Sequence, residues 1–301
     1  MSPDGLWKYT LQTEDTAKKY LEILKRKFHF SNKLLQTLKQ GEKVWVNGEF
    51  TYLTTRGRAG ETLSINFNTP EVSNLDAESL PLEILYEDNY LLAVNKPAGQ
   101  VVHPNPRYST STLGNAVTSH WHTKGEAHTF RPIHRIDRNT SGVVVIAKNK
   151  FAHQQLAWQL EHGQILKRYL GFVSGKVPLL TGELNGAIGF ALGSFIKRQV
   201  QINGLPALTR FRILHHYAQA DLLEFELASG RTHQIRVHCQ SYGHPLLGDD
   251  LYDGDTSLIN RQALHSFMYV LNHPATGQQL VLRAKFPSDL IILGQKLLRH
   301  S

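Results

Sequence analysis

Four short segments of this chain hold more polar side chains in fixed company than a scaffold requires. In HRIDRNTSG (His134–Gly142), a single carboxylate, Asp137, sits between Arg135 and Arg138 in a polar turn. The turn runs straight into an apolar run. A carboxylate carried on a rigid strand edge beside cations stays ionised, which suits a nucleophile or a general base. The same side chains could do no more than accept backbone donors within the turn. VNKPAGQVVHP (Val94–Pro104) brings Lys96-Pro97 out of a strand, turns at Ala98-Gly99 and closes a second short strand at His103-Pro104. Lys167-Arg168-Tyr169 opens a strand with a tyrosine able either to stack on a planar ligand or to pack in the core. SGRTHQIRVHCQSYGHPLLGD (Ser229–Asp249) leads through a Gly-Arg turn into a helix bearing Arg236. If the helix began early, Arg231 and Arg236 would lie roughly 140° apart and share no face. His233, His238 and His244 in that segment lack the Cys or Glu that would complete a recognisable metal set, so no metal is expected.

Positioning such groups takes a scaffold, and its elements can be read from periodicity. Ile84–Tyr86 and Tyr90–Asn95 form strands about the turn Glu87-Asp88-Asn89. Gly142–Lys148 is a strand apolar on both faces, and Ala152–Leu160 is a helix, with Ala152, Leu156 and Leu160 four apart. Further strands are expected at Arg168–Val173, Thr209–His215, Leu222–Leu227, Ala263–Leu271 and Gln279–Lys285, and helices at Thr232–Ser241 and Asp289–Leu298. This is an α+β domain with a mixed, largely antiparallel sheet. Ahead of it lies a smaller α/β unit. Thr16–Lys27 shows apolar residues at helical spacing, Ser31 is placed to cap a helix over Asn32–Gln40 that Gly41 ends, and a strand at Lys43–Val46 meets the hairpin signal Asn47-Gly48. Thr62–Phe67 is its last strand. Asn68–Pro81, polar, acidic and bracketed by prolines, reads as a linker. The expected division is therefore residues 1–69, a linker 70–81, and a large domain 82–301.

Composition narrows the partners. The 301 residues include 33 Lys and Arg against 25 Asp and Glu, a net charge of +8, with 41% hydrophobic and 19% charged residues. That is an ordinary globular composition with a bias toward polyanions. About half the excess lies in the first 70 residues, with 11 Lys and Arg against 7 Asp and Glu. Cys239 is the only cysteine, which rules out an internal disulfide and suits a reducing compartment. The opening MSPDGLWKYT lacks the layout of a signal peptide, and no apolar run is long enough to span a bilayer, so a cytoplasmic chain with no membrane partner is expected, monomeric by default.

Taken in order, VNKPAG…HP, HRIDRNTSG, the KxY strand, SGRTHQIRVH…GHPLLGD and LHSF…HPATG closely resemble the RluA-type RNA pseudouridine synthases, over residues 82–286. The helix, helix, hairpin order of residues 14–67 resembles an S-four-type RNA-binding domain. The resemblance implies a pseudouridine synthase fold, an RNA partner (ribosomal RNA favoured over transfer RNA) and no cofactor. It implies that Asp137 is catalytic, that Arg236 pairs with it, and that Tyr169 stacks on the uracil. Arg135, beside His134, would fill the gap left by a flipped uridine. Lys96 and Arg231 would order loops or contact phosphate, or else touch the reacting nucleotide. Asn139 stands where the family commonly has Asp, Ile136 where it has Leu, and Leu205 where it commonly has Lys or Arg. Two other readings are open. A non-catalytic RNA-binding protein predicts a degraded site, and a hydrolytic nucleosidase wants two carboxylates flanking the bond.

Overall fold

The computed structural model describes residues 6–67 and 73–299. The first unit is a four-stranded antiparallel sheet, in the order β1, β4, β2, β3, backed by two helices. Its elements are β1 (Trp7–Thr10), α1 (Tyr20–Lys27), α2 (Asn32–Leu38), β2 (Val44–Val46), β3 (Glu49–Phe50) and β4 (Thr62–Ile65). Ser31 caps α2, its hydroxyl accepting the Leu34 amide at 3.2 Å, and Asn47-Gly48 makes the β2–β3 turn with both residues at positive φ. The helix expected from Thr16 begins only at Tyr20. Ala17 adopts a left-handed conformation (φ 63°) and Lys19 is extended, so the chain is still turning there. Trp7–Thr10, in which aromatic and polar residues alternate over only four positions, pairs with β4 as a strand.

The large unit is built on a ten-stranded sheet. Its elements are β5 (Glu83–Glu87), β6 (Leu91–Lys96), α3 (Leu113–Thr123), β7 (Arg131–Pro132), β8 (Ser141–Ala147), α4 (Lys150–Glu161), β9 (Leu166–Ser174), β10 (Thr181–Asn185), β11 (Ile188–Phe190), β12 (Arg198–Val200), β13 (Leu208–His216), β14 (Ala220–Leu227), α5 (Gln234–Ser241), β15 (Leu264–Asn272), β16 (Gln279–Arg283) and α6 (Ser288–Arg299). The strand order is β10, β13, β14, β9, β15, β8, β6, β5, with β16 on β15 and β7 on β8; β11 and β12 form a separate hairpin. Every pairing is antiparallel except β8 with β15, which holds for two residue pairs only, His265 with Ser141 and Ser266 with Gly142. The domain is α+β with a mixed, mostly antiparallel sheet, as the strand pattern anticipated.

That short parallel junction needs close approach. A Cβ on Gly142 (φ 119°) would lie 2.1 Å from the Ser266 carbonyl oxygen, so glycine alone fits. Beyond it β8 is buried along its whole length, as a strand covered on both faces must be. No second strand forms at His103-Pro104; Asn105 and Tyr108 close a tight turn there instead. α3 was not expected. It starts with a reciprocal cap in which the Asn115 carboxamide oxygen accepts the Thr112 amide at 3.0 Å and the Thr112 hydroxyl accepts the Asn115 amide at 3.3 Å.

Residues 68–72 of the expected linker lie outside the described residues. The remainder is fixed rather than loose. Leu75 packs on the central core, the Asp76 carbonyl accepts from the Asn115 carboxamide at 2.8 Å, and Glu78 accepts the Ser111 amide at 2.9 Å. The two units also share one core. Trp7, Leu24, Phe30 and Phe67 cluster with Phe151 and Ala152 of α4, with the Phe67 and Phe151 rings stacked at 4.3 Å. Trp158 stacks on His29 at 4.1 Å, and Gln155 donates to the Phe28 carbonyl at 2.6 Å. Among the described residues no helix is long and apolar enough to cross a membrane.

Candidate active site

The turn carrying Asp137 is held one residue at a time by other elements. The Arg138 carbonyl accepts from the Lys96 ammonium at 3.0 Å and from the Gly99 amide at 2.9 Å. Arg261 donates to the Asn139 carbonyl at 3.0 Å, and the Gln262 carboxamide donates to the Thr140 hydroxyl at 3.2 Å. Ser141 and His265 close the strand junction with a hydrogen bond of 2.9 Å. A carboxylate on such a turn is placed by long-range contacts from β6, β15 and the segment preceding β15, which is what preorganisation requires.

Asp137 does not spend its carboxylate on turn amides. Its Oδ2 accepts from Arg236 Nη1 at 3.1 Å. Arg236, 7% exposed, turns its other edge on Asp249, with Nε and Nη2 each 2.7 Å from a separate carboxylate oxygen. This forked pair is buried, Asp249 completely so, and the guanidinium lies 4.9 Å from the face of Tyr252. The two carboxylates raise the Arg236 pKa further against the desolvation that opposes it. Asp249 can be where it is because Gly248 (φ 73°) lets the chain pass Arg261; a Cβ there would meet the Arg261 carbonyl oxygen at 2.1 Å. Among the described residues the Asp137 Oδ1, in a side chain 26% exposed, has His233 Nε2 as its one polar neighbour within 4.0 Å, at 3.9 Å.

Tyr169, on β9, is 6% exposed, and burial pushes its pKa up. Its hydroxyl lies 3.1 Å from that of Tyr269, which lies 3.1 Å from His134 Nδ1. His134 stacks on Tyr269 at 4.3 Å and accepts the Val145 amide on Nε2. The ring proton is therefore on Nδ1 and is donated to Tyr269. Burial drives the His134 pKa down to about 3, so the ring is neutral.

These groups line one cleft of about 1210 Å³, larger than a small-molecule site needs. Asp137, Arg236, Tyr169, His134, Arg135 and Arg231 all line it. Arg135 and Arg231 are exposed. Lys96 is not in the cleft. It is fully buried behind the turn, donating to the carbonyls of Pro97, Gln100 and Arg138 at 2.7, 2.7 and 3.0 Å, and burial pushes its pKa down to about 7. It orders loops and cannot reach a phosphate. The helix bearing Arg236 starts at Gln234, since His233 is left-handed (φ 58°), so Arg231 precedes α5 and the angular argument separating the two arginines does not apply. His238 bonds to Thr209 and the Gly186 carbonyl, and His244 to the Ser174 carbonyl, so the three histidines of that segment do not converge.

Four members of the site were not anticipated: Asp249, Gln234, Lys167 and Tyr269. Gln234 organises the turn ahead of α5, accepting the Arg231 amide at 3.0 Å and the Ser229 hydroxyl at 2.8 Å while donating to Thr209 and the Leu208 carbonyl. Lys167 opens the KxY strand, and Asp249 and Gln234 lie inside the SGRTHQIRVH…GHPLLGD motif. Their one visible signal was an acid and an amide in a segment otherwise rich in donors.

Residues 90–241 match the family described as RNA pseudouridylate synthase. The chain is 38% identical over 270 residues to YhcT of Bacillus subtilis, an uncharacterised RNA pseudouridine synthase, covering 89% of each chain. It is 38% identical over 241 residues to the ribosomal large subunit pseudouridine synthase D of Nitrosomonas europaea, covering 75% of this chain and 68% of that one. Among solved structures, the human RNA pseudouridylate synthase domain containing 1 protein matches with a TM-score of 0.57 at 25% identity, over 70% of this chain and 86% of that one.

Proposed function

The chain belongs to the RNA pseudouridine synthase family and is an isomerase acting on uridine in RNA; on that premise we propose that Asp137 is its nucleophile or base and that large-subunit ribosomal RNA is its substrate. One observation carries the assignment of Asp137. Its Oδ2 is anchored on a buried guanidinium while Oδ1 has no hydrogen-bond partner among the described residues and opens on the cleft. A catalytic carboxylate needs one oxygen held and the other available.

The chemistry then balances on uridine alone. The bond from ribose C1′ to uracil N1 breaks, the base turns, and C5 bonds to C1′. C5 loses a proton and N1 gains one, with no net oxidation and no group donor. Asp137 Oδ1 either attacks C1′ or removes a ribose proton to open the route through a glycal. In both routes Arg236 orients the carboxylate, and Asp249 orients Arg236. Tyr169, its hydroxyl engaged with Tyr269, offers its ring to the uracil. Arg135, exposed at the mouth, takes the place of the flipped uridine, whose extrusion costs a few kcal/mol.

The name of the Nitrosomonas europaea relative favours ribosomal RNA, and the basic N-terminal unit, read as an S-four-like RNA-binding domain, adds a second contact surface. Docked on α4, it holds that surface at a fixed distance from the cleft, which raises the effective concentration of a structured RNA. Pseudouridine mapping of total cellular RNA, wild type against Asp137→Ala, tests the whole reading. Loss of one or a few sites in large-subunit ribosomal RNA is expected. An unchanged map with folded protein present would sink the catalytic role of Asp137, and sites lost only from transfer RNA would move the substrate.

A further inference from the structure

The cations of β9, β13 and the turn before α5 divide by face. On the outer face every arginine has a carboxylate. Arg168 meets Glu224 and Glu226 at 3.5 Å, Arg210 meets Glu183 at 2.8 Å, and Arg212 meets Glu224 at 2.8 Å. On the cleft face the pattern is different. Lys167, which alternates with Arg168 and so shares the face of Tyr169, is 6% exposed. Its ammonium makes one hydrogen bond, to the Ser229 carbonyl at 3.1 Å, leaving two protons unassigned among the described residues. Arg231 is the nearby cation. Its Nε donates to the Pro206 carbonyl at 3.1 Å. The carboxylates lining this cleft are Asp137 and Glu161, and neither is within 4.0 Å of Lys167 or Arg231.

A buried cation held next to a second one, with no acid between them, is costly unless an anion arrives. The turn that carries them is built, not incidental. Ser229 and Arg231 are both pinned by the buried Gln234, and Gly230 leaves Lys167 Nζ clear, since a Cβ there would be 3.9 Å away. We propose that Lys167, Arg231 and the turn between Ser229 and Arg231 form a seat for one backbone phosphate of the RNA beside the reacting uridine. The proposal rests on the cleft taking RNA. Lys167 and Tyr169 are two residues apart on one strand face, about 7 Å, comparable to the span from a base to its own phosphate. Burial and the neighbouring Arg231 push the Lys167 pKa down to about 8, so the ammonium persists at neutral pH and the seat is positively charged when empty.

The test is binding without turnover, in the Asp137→Ala background of the full chain, so that a failed catalytic assignment leaves it intact. A fluorescein-labelled 12-mer of oligouridylate is titrated by anisotropy across a series of NaCl concentrations. Losing one phosphate contact to a single strand flattens the dependence of log K on log salt by about 0.7. Lys167→Gln and Arg231→Gln should each show that flattening, whereas Arg212→Gln, on the outer face, should keep the parental slope. Should Lys167→Gln fail to fold, the exposed Arg231→Gln decides alone. Parental slopes in the seat variants would overturn the proposal, as would no binding by the parent at low salt. Weaker binding with an unchanged slope, for oligouridylate but not oligocytidylate, would overturn it in favour of a contact to the uracil.

Discussion

Two buried cations flank β8, each bridging two acids, and they are built to opposite ends. Beyond its C-terminal end, Lys148, 4% exposed, donates to Glu87 at 3.0 Å and Glu126 at 2.6 Å. Both Glu87 oxygens are taken, one by Lys148 and the other by His120 and Lys124 at 2.9 and 2.7 Å. Ahead of its N-terminal end, Arg236 bridges Asp249 and Asp137, and there the filling stops halfway. Asp249 is saturated and buried; Asp137 keeps one oxygen toward the cleft. Glu87 is 11% exposed and Asp137 26%. The same motif of a cation between two acids gives an anchor when every oxygen is used, and a poised carboxylate when one is withheld. The choice of cation fits as well. Only a guanidinium has a rigid fork that can grip Asp249 with two donors and aim a third at Asp137.

The largest effect expected from this contrast is at Asp249. Asp249→Ala takes away two of the hydrogen bonds of Arg236 and leaves a buried guanidinium with half a partner. Urea unfolding should show a loss of about 3–5 kcal/mol, and activity should fall together with it because Arg236 no longer aims Asp137. A loss under about 1 kcal/mol with full activity would show that Asp249 is a bystander. At the other end the damage should be smaller and purely structural. Lys148→Met leaves Glu87 with His120 and Lys124, so a loss of about 2 kcal/mol with unchanged kcat is expected. A reduced kcat would mean the two ends of β8 are coupled.

Much of the scaffold was legible because its signals are local. Ser31 and Gly41 bracket α2, Asn47-Gly48 makes its hairpin turn, and the apolar run after Ser141 is the buried strand. α3 carries Leu113, Ala116, Val117 and Trp121 on its buried face, but Gly114, Thr118, Ser119 and the histidines dilute that stripe, and its start signal uses Asn115 where Glu or Gln is usual. Residues 73–81 read as a linker by composition, yet Leu75 packs on the central core and Asp76 and Glu78 are caught by groups 39 and 33 positions away in the chain. Asp137, Tyr169 and Arg236 could be named from motif order. Asp249 could not be paired with Arg236, because 13 positions of intervening turn carry no periodicity from which to infer contact. For the same reason the motif leaves Lys96 divided between ordering loops and meeting the RNA. Nothing in NKPAG shows that its ammonium points inward at three carbonyls. Burial is decided by what folds over a residue.

The finest distinction between the two ends is in acid. Glu87 has its pKa lowered to about 2, from an ordinary value of 4.5, by hydrogen bonds to Lys124, His120 and Lys148 that outweigh its burial. A carboxylate with a depressed folded pKa stabilises the protein above its unfolded value, and that contribution is lost as pH falls through the folded one. Glu87→Gln should therefore be less stable than wild type at pH 6, and the gap should narrow steadily below pH about 4.5, closing near pH 2. His134 works in a separate window. Its pKa is lowered to about 3, so it is neutral in the fold while the unfolded ring begins to charge below about 6.5. Wild type and Glu87→Gln share that loss, so it cancels in their difference. Urea midpoints for both proteins at pH 6, 5, 4 and 3 would check the prediction. A gap that stays constant across those points would mean Glu87 contributes packing and hydrogen bonding but not charge, and the Lys148 bridge would no longer be the electrostatic counterpart of the one at Arg236.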